Sequence, residues 1–140
     1  MKKPLSQRAR RNPPTSGATT DAIIGAGRGG AALMEIFAND PLVRIVGVAE
    51  LDPKAPGLEL AQQFGIPITQ DYRQLLAMER VDLIIDVSGD AEVRRFLEDF
   101  HRMGVTIIGG ASAKFMWELI GARIRATAEI EKTLNKYQSL

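Results

Sequence analysis

The chain has 140 residues, of which 45% are hydrophobic, and its formal net charge is +1. This length and composition suit one domain with a buried core, and they exclude both wholesale disorder and two domains with separate cores. The absence of cysteine and the presence of a single histidine, His101, exclude a disulfide scaffold, a thiolate metal site and a site with two histidine ligands, so no metal site is predicted.

Residues 1–20 differ in charge from the rest of the chain. They contain five basic residues and no acidic one, whereas the other 120 residues contain 13 basic and 17 acidic residues. Three prolines and the lack of apolar periodicity predict a flexible basic tail. No apolar stretch suits a signal peptide or a membrane span, so a cytoplasmic protein is expected. A basic tail can touch nucleic acid, but the acidic remainder argues against nucleic-acid binding as the main function.

From residue 21 onward, short apolar runs alternate with longer amphipathic segments. In chain order they predict strand 22–24, helix 31–38, strand 43–48, helix 58–64, a minor strand at 66–68, a short helix around 75–78, strand 81–87, helix 91–103, strand 105–108 and a long helix from about 113. Continuous apolar strands separated by helices are typical of a parallel sheet covered on both faces. The predicted fold class is therefore α/β, a doubly wound, Rossmann-like domain over residues 21–121.

The most informative motif is GAGRGG at residues 25–30, directly after the first strand and before the first helix. Gly25 permits a tight turn, Gly27 leaves the backbone open to a pyrophosphate, and Gly30 lets the helix pack close to the strand. The helix N-terminus offers unpaired N–H groups to phosphates. The motif predicts a dinucleotide site, and a tight turn without a ligand is the alternative.

Glu50 supports the dinucleotide interpretation. It follows the second strand, 25 residues after Gly25. A carboxylate at this place accepts hydrogen bonds from the adenosine ribose hydroxyls and repels a 2′-phosphate. NAD is therefore predicted in preference to NADP, unless Glu50 is only a solvated loop residue.

Four stretches of the chain carry a resemblance to a known family. They are IIGAGRGG at 23–30, VRIVGVAELDP at 43–53, GIPITQDYRQLL at 65–76 and VDLIIDVSGDAEV at 81–93. Together they make residues 22–112 resemble the NAD(P)-binding domain of Gfo/Idh/MocA-type oxidoreductases and of homoserine-dehydrogenase-like enzymes. The resemblance implies a Rossmann fold with the dinucleotide lying across the carboxyl ends of the strands.

The resemblance also implies which residues contact each part of the cofactor. The glycine-rich loop would line the pyrophosphate, the acidic loop after the second strand would hold the adenosine ribose, and the loop after the fourth strand would lie near the nicotinamide ribose. The predicted cofactor-binding residues are, in that order, Gly25, Gly27, Arg28, Gly29 and Gly30; Glu50 and Asp52; and Ser88 and Gly89.

Two features depart from that family. Its enzymes continue into an α+β domain that binds substrate, and many carry Glu-Lys-Pro after the fifth strand, whereas residues 109–114 here read GGASAK. Lys114 is therefore expected to cap the last helix or face solvent, His101 to be a structural or surface residue, and Asp86 to be a hydrogen-bonding carboxylate at a strand end. No catalytic triad or carboxylate pair can be built, so no catalytic residue is predicted and the chain alone is not expected to be an enzyme.

The last helix suggests a role in association. Residues 115–120 are expected to pack into the core, and 122–140 to form a separate helical segment. There Ile130, Leu134 and Tyr137 lie four and three residues apart, a narrow seam of the coiled-coil type. The segment resembles the signalling helices that join sensory domains to histidine-kinase or other output modules, so a homodimer or an output domain is expected. A helix packed on the sheet is the alternative.

Three functions agree with these observations. The main hypothesis is an NAD(H)-binding Rossmann module that acts as a nucleotide-sensing or regulatory domain without its own catalytic domain. The second is the cofactor-binding domain of an NAD(P)-dependent oxidoreductase whose substrate domain lies elsewhere. The third is a coenzyme-A-binding Rossmann protein, against which Glu50 argues because the 3′-phosphate of coenzyme A would lie near its carboxylate.

Overall fold

Strands and helices alternate strictly along residues 17–78 and 80–138, the parts of the chain that this computed structural model describes. The elements are β1 (Thr19–Ile24), α1 (Arg28–Phe37), β2 (Val43–Ala49), α2 (Pro56–Phe64), β3 (Ile68–Thr69), α3 (Tyr72–Met78), β4 (Leu83–Asp86), α4 (Ala91–Arg102), β5 (Thr106–Gly109) and α5 (Gly110–Gln138). Nearly all of the predicted basic tail and the last two residues of the predicted C-terminal segment lie outside the described residues. Within them, no helix is long and apolar enough to cross a membrane.

The five strands form one parallel sheet in the order β3-β2-β1-β4-β5. The chain first adds strands on one side of β1 and then moves to the other side, so the strand order reverses between β1 and β4. Ile24 at the end of β1 is level with Ala49 in β2 and with Asp86 in β4. The carboxyl ends of these three strands therefore meet at one edge, where open α/β sheets bind their ligands.

Both faces of the sheet are covered by helices. On one face, α3 and α4 pack Leu75 and Leu97 against Ala22 and Ile24 of β1. On the other face, α1, α2 and α5 pack against Ile23. Neighbouring residues of β1 thus point into different cores, which explains why the strands are continuous apolar runs. The predicted doubly wound α/β fold is confirmed.

Local signals in the sequence account for the helix ends around the sheet. Helix α2 begins with Pro56 in its first turn and ends at Gly65, which has a left-handed φ of +68°. Helix α4 begins after Asp90, whose carboxylate accepts a hydrogen bond from the Glu92 N–H at 2.8 Å. Helix α1 begins at Arg28, earlier than the apolar spacing predicts, and its N-cap is Gly27.

Helix α5 has 29 residues and is about 43 Å long at the standard rise of about 1.5 Å per residue. Only its first part packs on the domain, and the side chains of residues 122–138 are exposed. The expectation that 115–120 is a core segment is partly wrong. Met116, Trp117 and Ile120 are half-buried, but Phe115 and Leu119 are 67% and 41% exposed because they lie on the outer face of the helix.

Candidate functional site

The glycine-rich loop, residues 25–30, joins β1 to α1 at the reversal point of the sheet. Gly25 has φ +106°, and a methyl group there would lie 2.9 Å from the backbone nitrogen of Ser88. The loop after β1 therefore touches the loop after β4. A methyl group on Gly30 would collide with the carbonyl oxygen of Gly25. Close approach of helix to strand thus requires glycine at both positions.

The N-cap residue of α1 faces open space. Gly27 caps the helix with φ −72° and ψ −155°, no side chain of the described residues accepts from the first N–H groups, and the first turn contains no acidic residue. A methyl group on Gly27 would meet no atom within 4 Å. The unpaired N–H groups and the positive end of the helix dipole are therefore available to an external anion, and the exposed Arg28 adds a positive charge.

Glu50 is held beside this loop. One of its carboxylate oxygens, Oε1, accepts a hydrogen bond from the Ala26 N–H at 2.7 Å, and Oε2 accepts from the Asp52 N–H at 3.2 Å. The Gly57 N–H donates to the Ala26 carbonyl oxygen at 2.6 Å. These bonds join the β2–α2 connection to the glycine-rich loop. Each oxygen of Glu50 keeps a further lone pair, so the carboxylate can still accept from ribose hydroxyls.

The side chain of Asp52 acts within its own loop. It is exposed, and its Oδ1 accepts a hydrogen bond from the Lys54 N–H at 2.9 Å. Asp52 therefore shapes the connection that carries Glu50 and lies farther from the glycine-rich loop along that connection.

The loop after β4 is shaped by Asp86. Its buried Oδ1 accepts from the Ser88 N–H at 3.0 Å and from the Ser88 hydroxyl at 2.6 Å, and the Ser88 Oγ accepts from the Asp90 N–H at 3.2 Å. Asp86 is thus a hydrogen-bonding carboxylate at a strand end, as expected. Gly89 follows with φ +68°, and a methyl group placed on it would meet no atom within 4 Å, so its backbone is open to a neighbouring ligand.

A cleft of about 810 Å³ opens beside these loops, between the ends of β4 and β5 and the helices α4 and α5. It adds residues that the sequence did not single out for binding. The expectation that His101 is only a structural or surface residue is incomplete, because His101 is exposed and also lines this cleft. Lys114 is exposed as expected, with Nζ 3.9 Å from Oε1 of Glu118, and lines the cleft too. The other polar or aromatic side chains that line it are Asp86, Asp90, Arg94, Glu98, Arg102 and Trp117.

The nine predicted cofactor-binding residues all come from the carboxyl-end connections of β1, β2 and β4. Contacts join the glycine-rich loop directly to Glu50 and to Ser88. Arg94 and Trp117 were missed because they come from helices α4 and α5, whose orientation depends on packing. One signal pointed to Trp117: a lone tryptophan shortly after the last predicted strand.

One buried acid lies away from this site, in the first half of β1. Asp21 is 1% exposed and its Oδ1 accepts no hydrogen bond from the described residues. Burial raises the pKa of Asp21 to about 6, although a hydrogen bond from the Thr19 side chain acts in the opposite direction. Nearby Asp82 behaves differently: hydrogen bonds from the Thr20 N–H and hydroxyl, both 3.0 Å long, lower its pKa.

Comparison with known proteins identifies relatives of part of the chain. No family model matches it. An acetaldehyde dehydrogenase from Chloroflexus aurantiacus is 32% identical over an alignment of 100 residues that covers 68% of this chain and 33% of that protein. The chain thus spans about a third of the length of this curated relative.

Solved structures share the fold. A myo-inositol dehydrogenase from Corynebacterium glutamicum aligns with TM-score 0.57 and 20% identity, over 66% of this chain and 27% of that one. GenD2 from gentamicin A biosynthesis, in complex with NAD, aligns with TM-score 0.54 and 21% identity, over 72% of this chain and 36% of that one. The described part of the chain therefore has the Rossmann fold, and the resemblance carried by the four sequence stretches is confirmed at the level of the fold.

Proposed function

We propose that this chain is an NAD(H)-binding module. The observation that carries the proposal is the N-terminus of α1, which has no side-chain cap, no acidic residue in its first turn and open space at Gly27, with the Glu50 carboxylate fixed beside it. Such a turn suits a pyrophosphate, and such a carboxylate suits a ribose. The NAD complex of GenD2 adds support, since that protein shares the fold.

Each predicted residue then has a binding task. The N–H groups of Gly27, Arg28 and Gly29 bind the pyrophosphate, and Glu50 accepts hydrogen bonds from the adenosine ribose. Asp52 holds the loop of Glu50, while Gly25 and Gly30 allow the close approach of loop, strand and helix. Ser88 and Gly89 lie toward the nicotinamide ribose. When bound, the nicotinamide ring supplies a hydride donor or acceptor.

Glu50 determines the preference for NAD over NADP in this proposal. A 2′-phosphate on the ribose would place a dianion beside the negatively charged Glu50 carboxylate. The two backbone N–H groups that donate to Glu50 hold the carboxylate in that position. The Glu50 carboxylate would repel the 3′-phosphate of coenzyme A in the same way. Lys54, four residues after Glu50, and Arg28, at the start of α1, are exposed cations that act in the opposite direction.

Calorimetric titration of one sample with NAD, NADH, NADP and coenzyme A tests this proposal. We expect NAD and NADH to bind, NADP to bind more weakly, and coenzyme A to show no saturable heat. Equal or tighter binding of NADP would contradict the role given to Glu50. If none of the dinucleotides binds, the site itself is wrongly assigned.

We further propose that the module senses the dinucleotide in the cytoplasm and passes its state on through α5. Helix α5 begins at the cleft, which Gly110 and Lys114 line. The oxidised and reduced rings differ by one charge, so they can bias the start of α5 differently. The resulting shift equals at most the difference between the two binding free energies.

We also propose that α5 pairs with a second copy of the chain. Phe115, Leu119, Ile130, Leu134 and Tyr137 are all exposed and form one stripe, here called the α5 stripe. From Leu119 to Tyr137 is five turns at 3.6 residues each, so the stripe runs straight along the helix. Pairing by two-fold symmetry would cover it on both copies.

Sedimentation of the full chain and of a truncation ending at Gly121 tests the pairing. The full chain should sediment as a dimer, and the truncation as a monomer that still binds NAD. A full chain that stays monomeric at high concentration would rule out pairing through the α5 stripe.

The second candidate function is the cofactor domain of an NAD(P)-dependent oxidoreductase whose substrate domain lies elsewhere. The match to an acetaldehyde dehydrogenase, of which the chain spans a third, favours it. Here the cleft beside β5 would receive the substrate next to the nicotinamide ring.

A further inference from the structure

The only tryptophan of the chain, Trp117, lies against the glycine-rich loop. It is half-buried in the packed part of α5, and its indole ring faces Gly29 in the first turn of α1. A methyl group on Gly29 would lie 2.9 Å from the indole nitrogen and 3.3 Å from the adjoining ring carbon Cε2. Gly29 and Trp117 also line the same cleft. The indole nitrogen is therefore placed beside the turn that offers its N–H groups to an anion.

The indole N–H has no protein acceptor among the described residues. It is a donor only, so it cannot be satisfied by another N–H of the loop. Its nitrogen is not among the buried atoms without a partner, so it keeps some exposure, and the Trp117 side chain lines the cleft. A donor that faces a cleft, next to unpaired backbone N–H groups, matches an acceptor that carries negative charge.

We propose that the Trp117 indole N–H donates a hydrogen bond to the pyrophosphate of the bound dinucleotide. This inference rests on the proposed NAD site and adds a side-chain donor from α5 to the backbone donors of α1. The lack of a side chain at Gly29 is what allows it, since any side chain there would displace the ring. The dinucleotide would then join two helices that belong to different parts of the fold.

Binding at Trp117 would also act on the rest of α5. The ring of Trp117 and the α5 stripe are on one rigid helix, so a ligand that fixes the ring also fixes the orientation of the stripe. Occupancy of the glycine-rich loop would thereby favour one position of α5.

Calorimetry of Trp117→Phe tests the inference, because phenylalanine keeps a ring against Gly29 but has no N–H. Three ligands are compared: NAD, ADP-ribose, which has the pyrophosphate but no nicotinamide, and adenosine, which has no phosphate. We expect the variant to bind NAD and ADP-ribose roughly 10- to 150-fold more weakly, the range typical of one hydrogen bond to a charged group, and adenosine unchanged. Ile124→Leu is the matched control, since Ile124 is exposed on the same helix and belongs neither to the cleft nor to the α5 stripe.

The outcomes separate this inference from the proposed function. If the wild type binds NAD and Trp117→Phe binds NAD and ADP-ribose equally well, the inference is wrong and the NAD site stands. If only NAD is weakened, the ring contacts the nicotinamide half and the pyrophosphate assignment is wrong. If adenosine is weakened as much as NAD, the role of Trp117 is structural. If the wild type binds no dinucleotide, both proposals fail.

Tryptophan fluorescence gives an independent readout in the unmodified chain. Because Trp117 is the only tryptophan, a change in emission on adding ADP-ribose reports on this ring alone. Gly29→Ala should shift the emission without ligand, since the methyl group displaces the indole. An emission spectrum that ADP-ribose leaves unchanged at saturation would contradict the proposed contact.

Discussion

Replacing Gly27 with valine should remove dinucleotide binding and leave the fold intact. A side chain at this position meets no protein atom within 4 Å, and the backbone there is extended with a negative φ of −72°. Loss of a favourable N-cap residue lowers the free energy of unfolding by about 1 kcal/mol. Replacing glycine also restricts the unfolded chain, which raises the free energy of unfolding by roughly 0.4–1 kcal/mol. The free energy of unfolding should therefore change by at most about 1 kcal/mol.

The loss of binding should be much larger than the change in stability. The valine side chain occupies the space through which a pyrophosphate approaches the first N–H groups of α1. Hydrogen bonds to a charged group are worth about 1.5–3 kcal/mol each. Losing two of them costs about 3–6 kcal/mol, which raises the dissociation constant of NAD by more than about 100-fold.

Urea unfolding and calorimetric titration with NAD measure the two effects on the same sample of Gly27→Val. Gly30→Ala is the control for a variant that loses stability. Its methyl group collides with the Gly25 carbonyl oxygen and should lower the free energy of unfolding strongly. If Gly27→Val unfolds like the wild type and binds NAD with unchanged affinity, the glycine-rich loop is not the phosphate site.

Three further predictions address cofactor choice, stability and chemistry. Glu50→Ala should weaken NAD binding and narrow the difference between NAD and NADP, measured by calorimetry; a constant difference would contradict the role of Glu50. Folding raises the pKa of Asp21 from 3.8 to about 6. The free energy of unfolding therefore falls as the pH rises from about 4 to about 6, and above pH 6 the loss reaches up to about 3 kcal/mol. Asp21→Asn should thus unfold at higher urea concentration at pH 7 and lose this advantage near pH 4, and a pH-independent difference would contradict the linkage. The chain alone should not oxidise NADH with a small carbonyl substrate, because residues 109–114 read GGASAK where many of the enzymes it resembles carry Glu-Lys-Pro, and steady turnover would favour the oxidoreductase function.

The sheet and the glycine-rich loop were predictable because they depend on local pattern. Apolar runs marked β1, β2 and β4, since each of these strands is covered on both faces. Gly25 lies against the backbone of the loop after β4, and Gly30 lies against the carbonyl group of Gly25. Only glycine allows both approaches. The motif and the Rossmann fold were therefore visible before any contact was known.

The helical side of the cleft was not predictable in the same way. Which face of α4 presents Arg94 and His101 depends on how the helix packs, and several rotations satisfy the same apolar spacing. Phe115 and Trp117 are two residues apart and similar in character, yet one is mostly exposed and the other lies on Gly29. Only the tertiary contact between α1 and α5 distinguishes them.

The energy available from the site limits what a sensing domain of this design can do. One hydrogen bond from Trp117 to a phosphate is worth about 1.5–3 kcal/mol, whereas moving a two-state helix from 1:99 to 99:1 takes about 5.5 kcal/mol. That bond is also the same for oxidised and reduced cofactor, since both carry the pyrophosphate. It can report occupancy but not redox state. Redox sensing must therefore come from the part of the cleft that Gly89, Gly110 and Lys114 line, beyond the glycine-rich loop. The ratio of the NAD and NADH dissociation constants sets the upper bound on that signal. A ratio below about three would leave a redox sensor without a driving force and would favour an occupancy sensor or the cofactor domain of an oxidoreductase.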